Sequence, residues 1–133
     1  MIVHVLRFRF KEGTSDEDLA AVEAALKRLA TSEALSFSTV GQDLGAPEYT
    51  LAYCVAFENL AALERYMLHE PAHAAADREI LPHVAKLAAV DLSDDPDPEL
   101  RAKIGALHQR RLATDPQFAE FMRSVEAELT VEA

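Results

Sequence analysis

The sequence predicts an α+β chain: a four-stranded antiparallel sheet with helices on one face, followed by a C-terminal helical extension. Three observations carry this: an alternating first segment, an uncharged strand-like run near residue 50, and helical stripes between and after them. In the first segment Ile2, His4, Leu6, Phe8 and Phe10 share one side, and Val3, Val5, Arg7 and Arg9 the other, the period of a strand. Gly13 ends it. Thr14 with Glu17 three residues on fits a capping box, and Asp16 and Asp18 suit the positive start of a helix. Leu19, Val22, Leu26 and Leu29 then recur at helical spacing, so a helix is expected over 15–30.

Residues 35–43 (LSFSTVGQD) read as a weaker strand, and the glycine and proline of GAPE at 45–48 as a turn. Residues 49–57 (YTLAYCVAF) form the strongest strand. Neither of its faces holds a charge, so both are expected to be covered. Asn59 can cap a helix through residue 68, Pro71 interrupts it, and 72–80 can form another short helix. Pro82 ends that, and 83–92 (HVAKLAAVDL) make a fourth strand. The order β-α-β-β-α-(α)-β is the split βαβ arrangement, with helices over one sheet face. The other face needs a second cover, most simply another copy of the same sheet, so a homodimer is expected.

The composition changes at residue 93. SDDPDPE holds two prolines and four acids, a linker that also starts a helix marked by Leu100, Ile104 and Leu107. A second helix is expected from Pro116 through Phe118, Phe121, Met122, Val125 and Leu129. The chain thus divides into a domain over 1–93 and a two-helix extension over 94–133. The apolar stripe of the extension needs a dry partner; an enlarged dimer interface is the preferred expectation and a lid over a pocket the rival.

The chain has 133 residues and a net charge of −10, from 13 basic and 23 acidic side chains, with half its residues apolar and no tryptophan. That size suits one core, and the apolar content excludes a disordered chain. The acidity, with a pI near 4.8, argues against nucleic acid and against an anionic membrane surface as partners. No segment approaches the roughly 18 continuous apolar residues of a membrane span. The single cysteine, Cys54, excludes a disulfide scaffold and reads as an inert buried thiol. A cytoplasmic location is expected.

Few motifs carry chemistry. HEPAH at 69–73 matches the zinc-protease pattern H-E-x-x-H, which requires both histidines on one unbroken helix. Pro71 breaks it, and Ala76 stands where the longer form of that motif needs glycine before Glu79, so no metal centre is expected beyond chance binding at His69 and His73. Arg7, Arg9 and Lys11 read as an ion-pairing row, Gly41 and Gly45 make no phosphate loop, and Arg110 with Arg111 is an isolated basic pair.

The strand HVLRFRFKEG with the helix start TSDEDL, the strand LSFSTVGQDL, the run YTLAYCVAFENLAALERY, then HEPAH and VAKLAAVDL together resemble the Dabb family of stress-responsive dimeric α/β-barrel proteins. The resemblance covers residues 1 to about 93. It implies a ferredoxin-like domain paired into a dimeric barrel, without an obligatory cofactor. Some members look like stress-associated structural proteins; others are cyclases that fold poly-β-keto chains by aldol or Claisen chemistry. By position, the resemblance implies His73 as a general base, Tyr66 as the orienting tyrosine and His4 as a pocket residue. This chain reads HEPAH where the family has HPAH, and the added Glu70 alters the register between Tyr66 and His73.

Such residues suit removal of a proton beside a carbonyl: a near-neutral base takes it, and a hydroxyl donates to the developing enolate oxygen. The expected ligand is a small apolar or carbonyl-containing compound, handled by aldol, Claisen or lyase-type chemistry. The alternative is a non-catalytic stress-response or ligand-binding dimer, in which His69 and His73 shape the break at Pro71, His4 is a satisfied core residue, and Phe8, Phe57 and Tyr53 fill the pocket.

Overall fold

The alternating first segment is the central strand, β1 (Ile2–Phe10), of the computed structural model, which describes residues 1–129. β3 (Leu51–Phe57) and β4 (Val84–Ser93) pair antiparallel with its two edges, and β2 (Phe37–Gln42) pairs antiparallel with β3. Between them lie α1 (Asp16–Leu29), α2 (Leu60–Glu64), a π-helical turn (Arg65–His69) and α3 (Pro71–Ile80). α4 (Leu100–Thr114) and α5 (Pro116–Arg123) follow, and β5 (Glu126–Leu129) closes the described chain.

The sheet therefore has five strands, not four, in the order β2-β3-β1-β4-β5. The expected second C-terminal helix stops at Arg123, where Ser124 caps it, and residues 126–129 pair parallel with β4. Val125 and Leu129 prolong the apolar spacing of a helix, but the open edge of β4 offers ladder hydrogen bonds that a last helical turn cannot match. A second difference is the cap of α1: Ser15, not Thr14, accepts from the backbone N–H of Asp18, while the Thr14 hydroxyl donates to the carbonyl of Lys11 in the preceding turn. Gly13 makes that turn with φ +82°, a conformation that favours glycine.

Register fixes what each sheet face carries. The inner face, under the helices, receives Ile2, His4, Leu6 and Phe8 from β1, opposite Phe57, Val55, Tyr53 and Leu51 of β3. Leu87, Ala89 and Asp91 of β4 lie across from Phe8, Leu6 and His4. Tyr53, Val55 and Phe57 are completely buried there with Val22 and Leu26 of α1, each worth roughly 1.5–3 kcal/mol of burial for the aliphatic and Phe side chains. The outer face holds Val3, Val5, Arg7 and Arg9 with Ala52, Cys54, Ala56, Ala88, Val90 and Leu92. On it, Arg7 makes a two-pronged ion pair with Asp43, Nε to Oδ2 at 2.7 Å and Nη2 to Oδ1 at 2.9 Å.

The α-face is completed by the C-terminal segment. α4 buries Leu100, Ile104, Leu107 and Arg111, and α5 buries Phe118, against the rest of the same chain. Within the chain the segment forms a roof over this face. The reason is local: the stripe of α4 meets the π turn and α5 meets α3, so the helices of its own chain supply the dry surface first.

Candidate active site

Pro71 governs the local geometry of the site. It has no N–H to continue a helix and forces Glu70 into extended backbone (φ −90°, ψ 107°), so α3 starts afresh at Pro71. Asn59 caps the preceding helix by accepting from the N–H of Ala62, as the sequence suggests, but the second half of that helix widens into a π turn. A π turn holds one residue more than an α turn. It lies immediately before Glu70, whose carboxylate accepts from the Ser32 hydroxyl at 2.9 Å. With the extra residue accommodated, the rings of Tyr66 and His73 lie 4.4 Å apart between centroids, tilted by 32°.

Tyr66, His73 and His4 all line one cavity of about 90 Å3 between the inner sheet face and the helices. The volume corresponds to about three water molecules, so Phe8 and Tyr53 line the space without filling it, and Phe57 stands behind, edge-on to Tyr66. His69 lines a separate surface hollow beside Arg28 and Glu70, so it shares no site with His73. Among the described residues no group of three or more histidine, cysteine or acidic side chains is placed to hold a metal ion.

The polar groups in the cavity come in pairs. The Tyr53 and Tyr66 hydroxyls are 2.7 Å apart. Two O–H groups share one hydrogen bond, which leaves one proton free to donate into the cavity. Burial pushes the Tyr53 phenol up to about 12 and raises Tyr66 well above its ordinary value, so both remain protonated donors. His4 and Asp91 form the second pair, with Nδ1 2.6 Å from Oδ1. A carboxylate accepts, so Nδ1 donates to Asp91 and Nε2 is the ring nitrogen left for a second partner, the orientation a general base requires.

His73 is different. It is 8 % exposed, and its Nδ1 is the one buried side-chain polar atom among the described residues that lacks a hydrogen-bond partner. Burial first, then the nearby charges of Arg111 and His4, hold its protonation well below the usual 6.5, so the imidazole is neutral. Burial also lowers His108, which lines the same cavity from α4. Arg111, next turn on, is 9 % exposed, pairs through Nη2 with Asp77 Oδ2, and lies over the Phe118 ring at 3.7 Å. Burial brings it down to about 10, which leaves it charged at neutral pH.

Asp91, His108 and Arg111 were not anticipated from the sequence, and Tyr53 was expected only as a ring that fills the pocket. Asp91 had a signal: it is the one charged residue in the row Leu87, Ala89, Asp91 on an otherwise apolar strand face. Arg111 had one too, since it continues the buried stripe Leu100, Ile104, Leu107 at helical spacing. His108 had none.

The fold and cavity define a ferredoxin-like α+β protein whose sheet face carries a cavity lined by His4, Tyr53, Tyr66 and His73 under a helical roof. The chain belongs to the Dabb family, the stress responsive A/B barrel domain, whose family model matches residues 2–94. It is similar to the crystal structure of a dimeric ferredoxin-like protein of unknown function from Thermobifida fusca (29 % identity over 69 % of this chain and 89 % of that one, TM-score 0.62). It is also similar to a Dabb family protein from Mesorhizobium loti (22 % identity, 71 % and 96 %, TM-score 0.62). A hydroxynitrile lyase from Passiflora edulis shares the fold (20 % identity, 71 % and 94 %, TM-score 0.58). No curated protein matches the sequence. Among the described residues no helix is long and apolar enough to cross a membrane.

Proposed function

We propose that this chain is a homodimeric Dabb protein whose cavity binds a small carbonyl compound and transfers a proton at the carbon beside the carbonyl, the opening step of aldol, Claisen or lyase-type chemistry. The observation that carries this reading is the convergence on one small apolar cavity of the Tyr53–Tyr66 donor pair and the His4–Asp91 pair. The free hydroxyl proton suits a carbonyl oxygen that becomes an enolate, and His4 Nε2 suits the proton leaving the neighbouring carbon. Asp91 steadies the imidazolium that forms.

The base is thus placed at His4, where family position suggests His73. A desolvated imidazole that resists protonation is a weak base. Neutral His73 serves better as a wall of the cavity that holds the Tyr66 ring, which it touches at 4.4 Å between centroids. Dimerisation is supported by the outer sheet face, where Phe37, Val90 and Leu92 are 55 %, 50 % and 58 % exposed. An apolar surface of this kind suits a second copy, and the Thermobifida fusca protein is dimeric.

The chemistry can be tested before a natural substrate is known. Small ketones are incubated with the protein in D2O, and exchange at the carbon beside the carbonyl is followed by proton NMR. Exchange is expected above the protein-free rate, and His4→Gln or Asp91→Asn is expected to reduce it by about 10²-fold or more. Ketone binding without exchange would sink the catalytic reading in favour of a ligand-binding module.

A further inference from the structure

Arg111 lies beyond the residues matched by the family, on α4, yet its guanidinium reaches the cavity that family residues line. It also lines an open groove on the far side, with Arg78, Asp115 and Gln117, so with Met67 it forms the partition between cavity and groove. The roof does not require a buried cation to stay in place. Arg110 reaches Glu64 at 2.6 Å, and Arg78 Nε donates to Gln117 at 2.6 Å, both on the exposed side. A cation in a dry wall costs stability that an apolar residue of similar size avoids.

The chemistry of that partition is specific. A guanidinium offers five N–H donors in a planar fork that fits a carboxylate edge. Asp77 takes Nη2 and the Phe118 ring covers one face of the plane. Nε, Nη1 and the second proton of Nη2 have no hydrogen bond among the described residues, which leaves one edge of the fork open, and Asp91, the cavity's other carboxylate, is turned to His4. The His73 ring lines the same cavity beside Tyr66.

We propose that Arg111 makes this cavity selective for carbonyl compounds that carry a carboxylate, 2- or 3-oxo acids, with the carboxylate on the guanidinium fork and the carbonyl toward Tyr66 and His73. The inference rests on the carbonyl-binding reading above and names its substrate class. Asp77 then has two duties: it holds the fork in plane, and it competes with the ligand for the same charge. The C-terminal segment becomes part of the site and not only its cover.

Two probes of equal carbon count separate the possibilities: sodium 2-oxobutyrate and 2-butanone, titrated into the full isotope-labelled chain and followed by NMR shift changes. The oxo acid is expected to bind at least about tenfold tighter, the scale of one charge-assisted contact. Arg111→Gln is expected to remove that preference while 2-butanone still binds, and Arg111→Lys to keep part of it. Asp77→Asn, which frees the fork, is expected to tighten 2-oxobutyrate severalfold without altering 2-butanone, and it stands in if Arg111→Gln does not fold. Equal binding of the two probes, or a preference that survives Arg111→Gln, overturns this assignment alone. If neither probe binds, it falls together with the carbonyl-binding reading; Arg111-dependent binding without proton exchange leaves it standing and removes only the catalysis.

Discussion

The two faces of the sheet are made by the same strands from comparably apolar residues, yet they set their polar side chains to different uses. On the inner face Phe8, Tyr53, Val55, Phe57 and Leu87 are buried under helices, and the polar residues among them sit in dry surroundings. His4 and Tyr53 find single partners at 2.6 and 2.7 Å, and the phenol's acidity is displaced by burial. On the outer face Arg7 and Arg9 also find acids, Asp43 and Glu48; the first pair is half-buried and the second exposed, and both tie strand to loop. Residue type does not separate the faces. What lies above each of them does.

The largest expected effect tests the packing of the inner face. Phe57→Ala removes a fully buried ring packed on Tyr66 and is expected to destabilise the chain by about 3–5 kcal/mol in urea unfolding. A loss below about 1 kcal/mol would mean that this face is far looser than its burial implies. Next comes the covering of the outer face: Val90→Asp places a charge in the proposed dimer contact and is expected to weaken self-association about 100-fold or more by sedimentation equilibrium. An unchanged dimer would put the interface elsewhere.

A third test uses pH. Folded His73 resists protonation, whereas the unfolded chain takes up that proton near the usual 6.5. Above that pH the group contributes nothing to the pH dependence. As pH falls below it, the unfolded state is favoured by up to about 1.4 kcal/mol per pH unit until the folded group also titrates. His73→Gln is therefore expected to flatten this acid loss by about one proton's slope, while His108, shifted in the same sense, leaves a remainder. An identical slope in the variant would show that His73 is not dry. The smallest expected effect is Phe37→Ala on the outer face, within about 0.5 kcal/mol for the dilute monomer. A larger loss there would erase the contrast between the faces.

The strands were legible because period-two patterning survives into the folded state: Ile2, Leu6 and Phe8 do share a face. The sheet's fifth strand was not legible, because Val125 and Leu129 are spaced as a helix and the edge of β4 decides their fate. The π turn was hidden for a similar reason: Arg65–His69 has ordinary helix formers, and only the stop at Pro71 and the packing of Tyr66 set its width. Tyr66, His73 and His4 were named from family position, and the structure brings all three to one cavity. Their partners were harder to find. Asp91 stands 87 residues from His4 and becomes its neighbour only through strand register. Arg111 was passed over as half of an isolated basic pair, although its place on a buried stripe sets it apart from Arg110.

β5 also bears on how copies of this chain meet. A sheet that ends on a long bare strand invites edge-to-edge addition, which has no natural limit and leads toward fibres. Here β4, ten residues long, is shielded along Lys86–Ala89 by a four-residue strand that begins with an acid, Glu126. So short and charged a border is a poor template for further growth. At this rim the border favours the proposed pairing through the flat outer side of the sheet, in which two copies would close on each other and stop.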